Sequence, residues 1–173
     1  MKILPAIILL IGLIGMPVSP VFCGDDWARV TAPRKWSFPR DFGAHPEYRT
    51  EWWYFTGNLK DASGKQYGYQ LTFFRQGIRS QLPTPSNAWD IRDIYLAHFA
   101  VTDASNGKFM AADRLSRAGP GLAGASLEGM NVWLLNWSAR MKGPAIHLEG
   151  RDSDKELRLE LTPRKPPVIH GAN

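Results

Sequence analysis

The fold class this sequence predicts is all-β and antiparallel, and three observations predict it. From residue 50 onward, short apolar or alternating runs are separated by clusters of Asp, Asn, Ser, Gly and Lys. No segment carries a sustained 3.6-residue apolar period. The 173 residues are 44% hydrophobic and 21% charged, with 16 Gly and 13 Pro. That composition is globular and excludes collagen-like, coiled-coil and disordered chains. An antiparallel sandwich or an up-and-down barrel satisfies all three.

The chain opens on a different pattern. Lys2 precedes an almost wholly apolar run over 3–15, and no further charge appears before Asp25. Pro17 and Pro20 then break the run. This reads as a secretory signal peptide, with cleavage after Cys23 and Val21 at the −3 position. A lipid anchor on Cys23 is the alternative, opposed by the bulk of Phe22. An uncleaved anchor is a third, opposed by the two prolines. The expected organisation is a signal over 1–23, an N-terminal extension over 24–49 and a β domain over 50–173. A secreted or periplasmic location follows, with the membrane touched only through the signal or a lipid. Removing 23 of 173 residues leaves 150 and lowers the formal charge from +5 to +4 by loss of Lys2. It also removes the single Cys, so no disulfide or Cys-built zinc site is expected. The basic residues are scattered with no long run, which argues against a nucleic-acid partner.

Residues 51–59 form an aromatic strand that ends in the turn cluster 60–65. Residues 66–75 follow, with Tyr67, Tyr69, Leu71 and Phe73 on one face, and the two runs read as a hairpin. After a polar loop over 80–90, residues 95–102 read as a strand apolar on both faces apart from His98. That favours a sheet covered on both sides. A second turn over 103–108 leads into 109–117. The Gly-rich stretch 119–129 reads as a loop and lacks a phosphate-binding context. Residues 131–140, 145–149 and 157–161 complete the set of strands.

The chemistry concentrates in the first strand. Trp52, Trp53, Tyr54 and Phe55 put large rings on both of its faces. Such rings fill a bulky core, or they line a cavity for a long apolar molecule. Glu51 beside these indoles is a candidate acid if it is desolvated. Folding the hairpin sets it roughly opposite Arg75, and an ion pair there would keep it charged. His45 and His98 are the other candidate catalytic groups. No short-range His pattern supports a metal, and none is expected. No cofactor is implied.

The run His45 … Glu51-Trp52-Trp53-Tyr54-Phe55-Thr56-Gly57-Asn58-Leu59 resembles the AttH-like family, which includes the carotenoid hydratases (CrtC) and proteins called predicted secreted hydrolases. Gly68-Tyr69-Gln70-Leu71-Thr72-Phe73-Phe74-Arg75 and Ala97-His98-Phe99-Ala100-Val101-Thr102-Asp103 follow in the family's order. So does Lys165-Pro166-Pro167-Val168-Ile169-His170-Gly171. The resemblance implies a lipocalin-like (calycin) β-barrel or strongly curved sheet, the first of two such domains usual in the family, with a second barrel expected in the same chain. It carries over His45, Glu51, Trp52, Trp53, Tyr54, Arg75 and His98 as matching positions. It also implies one of two functions. The first is a hydratase or hydrolase acting on an apolar, isoprenoid- or lipid-like substrate. The second is a non-catalytic carrier of a hydrophobic small molecule. In the expected roles Glu51, His45 and His98 are catalytic, and Trp52, Trp53, Tyr54 and Arg75 bind the ligand.

Overall fold

The computed structural model describes residues 27–82 and 84–169. The signal expected over 1–23, with Cys23, and His170 lie outside these residues. Nine strands form two antiparallel meanders. The first sheet is β1 (Thr50–Lys60), β2 (Gln66–Gly77), β3 (Asp93–Asp103) and β4 (Lys108–Arg117), in that order. The second is β5 (Ala123–Ala125), β6 (Asn131–Leu134), β7 (Trp137–Lys142), β8 (Ala145–Asp152) and β9 (Lys155–Leu161). The expected all-β class is observed. Among the described residues no ladder joins the two sheets, so the architecture is two facing sheets rather than a closed barrel.

The polar clusters of the sequence are the turns. Between β1 and β2, Asp61 Oδ1 accepts from the backbone N–H of Ser63 at 2.9 Å and of Lys65 at 3.0 Å. Asp103 Oδ1 accepts from the N–H of Asn106 at 3.1 Å between β3 and β4. These side chains stand in for backbone acceptors and set the hairpin registers.

Alternation then sorts the side chains. Leu71, Phe73, Ala97 and Phe99 from the first sheet meet Val132, Leu134, Trp137, Ala139 and Leu148 from the second, all fully buried. Phe99 meets Trp137 edge-on at 5.7 Å between centroids. Each of the large side chains contributes about 1.5–3 kcal/mol through burial.

Three expectations are corrected. Residues 131–140 are a hairpin, β6 and β7, because Leu135 takes a left-handed backbone (φ 55°) that an apolar residue does not advertise. The loop 119–129 contains the short strand β5. Finally, β3 is covered on one side only. Asp93, Tyr95, Ala97 and Phe99 are buried, while Ile94, Leu96, His98 and Ala100 on the other face are half-buried.

The segment preceding β1 is tied to both sheets. Trp53 donates from its indole to the Phe42 carbonyl at 3.0 Å. Ala44 N–H donates to Ser126 O at 2.7 Å. Gly43 makes this approach possible, since a Cβ there would lie 2.6 Å from the Leu127 carbonyl oxygen. Further upstream the Trp27 ring lies on Gly77, where a Cβ would meet it at 2.2 Å.

Candidate functional site

The register of the first sheet builds a charged cluster at one end of the inner face. β1 and β2 place Glu51 opposite Arg75, and β2 and β3 place Gly77 opposite Asp93. Arg75 is 1% exposed. Its Nε donates to Glu51 Oε2 at 3.3 Å and its Nη1 to Asp93 Oδ1 at 2.9 Å. Nη2 donates to the carbonyls of His45 at 3.1 Å and Tyr48 at 2.6 Å. One guanidinium thereby bridges two carboxylates and anchors the incoming segment to the sheet.

His45 sits on this platform. Its backbone N–H is shared by both Glu51 carboxylate oxygens at 3.0 Å. Its ring contacts Glu51 Oε1 through Nδ1 at 2.7 Å and Asp41 Oδ1 through Nε2 at 3.1 Å. An ionised carboxylate only accepts, so both ring contacts are hydrogen bonds when both nitrogens carry protons. A ring with one proton keeps one of the two. Asp41 is held below the ordinary carboxylate range, first by the backbone N–H of Ser37, then by His45 and Arg34, against an opposing desolvation. Arg34 reaches it at 2.7 Å. Burial pushes the Tyr95 phenol upward, reinforced by the charge of Asp93, so this buried hydroxyl stays protonated.

Above the cluster an open groove of about 800 Å³ runs between residues 29–36 and the start of β1. His45, Tyr48, Thr50, Glu51 and Trp52 line one side, and Val30, Pro33, Arg34 and Trp36 the other. The Arg34 guanidinium lies 4.9 Å above the Trp36 ring. Among the described residues no group of three His, Cys, Asp or Glu side chains is arranged to hold a metal ion.

Residues 29–173 match the family model for AttH-like proteins. The chain belongs to the AttH-like family. A crystal structure of an AttH-type protein from Nitrosomonas europaea is similar over 84% of this chain, at 31% identity and a TM-score of 0.70. The match covers 43% of that protein, so this AttH-like chain spans less than half its length. No curated protein matches.

The AttH-like signature residues do not share one surface. Glu51, His45 and Arg75 come together in the cluster, and Trp52 lines the groove. Trp53 points inward and is buried, while Tyr54 points outward. His98 lies on the outer face of the sheet, edge-on to Phe74 at 5.3 Å and away from His45 and Glu51. The ion-pair alternative for Glu51 is the observed one. Asp41, Asp93, Tyr48 and Trp36 complete the cluster and groove but were not singled out from the sequence. Counting the second hairpin across β2 and β3 finds Asp93 beside Arg75. Asp41 carries a weaker signal, four residues before His45 in an irregular segment.

Proposed function

We propose that the groove binds an apolar, isoprenoid- or lipid-like small molecule, held between Trp36 and Trp52. The observation that carries this reading is the state of Glu51. It accepts from Arg75 and from the His45 backbone and lies against the His45 ring, which supports a structural role at the groove floor over that of a free acid. Flat indoles bury apolar ligand area with little loss of side-chain entropy. The apolar run and prolines of residues 1–23, read as an export signal, support a periplasmic or secreted carrier.

A second reading, hydratase or hydrolase, is supported by His45. It faces the groove, and its ring bridges two carboxylates at 2.7 and 3.1 Å. A proton delivered from that ring to an alkene would leave a cation facing Trp52, and water would capture it.

Titration of the purified chain with a polyene or a long-chain lipid separates the readings. Binding predicts saturable quenching of Trp fluorescence, about tenfold weaker in Trp52→Ser. Quenching that Trp52→Ser leaves unchanged contradicts the groove as the site. Turnover of an apolar alkene abolished by His45→Gln favours the enzyme.

A further inference from the structure

We propose that a hollow on the outer face of the first sheet, centred on Gly68, binds a neutral saccharide. The hollow measures about 320 Å³ and spans all four strands. Two rows of the ladder make it. One runs through Thr56, Gln70 and Ala100, the next through Asn58, Gly68, Thr102 and Phe109. Gly68 and Ala100 form its floor because they carry the smallest side chains of the set.

Gly68 carries the proposal. A glycine inside a strand weakens it and commonly marks a place where another group approaches the backbone closely. At Gly57 and Gly124 that group belongs to the chain, since a Cβ would meet the Tyr69 ring at 2.9 Å and the Trp133 ring at 2.6 Å. Gly68 is different. A Cβ there would lie 3.6 Å from its nearest neighbour, the Thr102 Cβ, which is ordinary contact. Its backbone is not left-handed. Neither turn geometry nor the chain's own packing requires a glycine at 68, and its half-buried surface faces outward.

The lining specifies the class of ligand. Among the described residues no charged side chain borders the hollow. Its polar groups are hydroxyls and amides. Among the described residues the Asn58 amide and the Thr102 hydroxyl have no partner within the chain. Gln70 Nε2 donates to Thr72 Oγ1 at 3.4 Å, which leaves the Gln70 carbonyl oxygen to accept. Thr56 Oγ1 donates to the Tyr69 carbonyl at 3.0 Å and keeps its lone pairs. Mixed neutral donors and acceptors match sugar hydroxyls, whereas an ionised ligand would find no counter-charge. Phe109 is 69% exposed and supplies an aromatic wall from β4. The negative face of such a ring attracts the C–H edges of a sugar ring. The volume is at the lower end of small-ligand pockets, which run to roughly 300–1,000 Å³, and suits a mono- or disaccharide.

The proposal does not rest on ligand binding in the groove, which lies at the start of β1. Titration of the isotope-labelled chain with cellobiose, lactose and maltose tests it through amide chemical shifts. At least one sugar should shift the amides of Gly68, Thr102 and Phe109 saturably, with a Kd of about 1 mM. Gly68→Val should fill the hollow and abolish the shifts at Thr102 and Phe109, with unchanged circular dichroism and an equal or higher Tm. Phe109→Ala should weaken binding about tenfold, and Phe109→Trp should retain it. Because Phe109 stands on the exposed rim, this pair carries the test if Gly68→Val fails to fold. Absence of a saturable shift with all three sugars overturns the proposal. So does binding that survives Gly68→Val or Phe109→Ala at full strength. Equal shifts with glycerol also overturn it, since they mark a general polyol effect.

Discussion

On the inner face of the first sheet, two neighbouring rows have opposite characters. One is Trp53, Phe73 and Ala97; the next is Glu51, Arg75 and Tyr95, two residues along each strand. The first row is apolar and meets the second sheet. The second row ends the core with a guanidinium, and its bonds reach the carbonyls of His45 and Tyr48 in the segment before β1. Burial is similar in both, with Phe73 at 0% and Arg75 at 1%. What differs is the kind of specification. Apolar burial is non-directional and holds the sheets together. The charged row is directional, and it fixes where an otherwise irregular segment must lie. The groove exists because that segment is placed.

The largest effects test this division. Phe73→Ala should destabilise by about 3–5 kcal/mol through the cavity it leaves. Arg75→Ala should cost a similar amount, about 3–5 kcal/mol, because half-buried Glu51 loses the guanidinium and buried Asp93 keeps only Arg92 at 3.9 Å. Chemical denaturation measures both. The two variants should part in ligand quenching at temperatures where each remains folded. Arg75→Ala should lose quenching, since the groove floor is displaced. Phe73→Ala should keep it.

A smaller effect follows from Asp41. Its carboxyl is depressed in the folded state, so its contribution is complete above the ordinary value of 3.8 and is lost as pH falls through the lower folded value. Acidification should therefore release the segment carrying Asp41 and His45 below about pH 4, before the apolar core responds. Emission from Trp36, followed against far-ultraviolet circular dichroism, would show the first change preceding the second. Simultaneous change would erase the distinction between the two rows.

Much of this fold was legible in the residues because alternation and turn chemistry act locally. The turns at 60–65 and 103–108 are made by Asp side chains bonding their own backbone, and that signal lies within a few residues. The Glu51–Arg75 pair was reachable by folding one hairpin about its turn. The β6–β7 turn was not, because Leu135 adopts φ 55° under tertiary constraint. Nor did sequence reasoning reach the open outer face of β3. Its alternation of apolar residues on both sides looks the same whether the covering layer is present or absent. Asp41 and Trp36 lie in a segment with no periodicity, and only the contacts made to His45 and Arg34 give them meaning.

The central claim is that Glu51 and Arg75 exist to place the segment before β1, and amide hydrogen exchange in Glu51→Ala tests it most directly. The variant keeps Arg75 paired with Asp93 and removes the acceptor of the His45 N–H. The account predicts that protection falls at His45, Ala44 and Tyr48 by at least tenfold, while the amides of β2, β3 and β8 keep theirs. Equal loss across the strands, or no loss at His45, would contradict it.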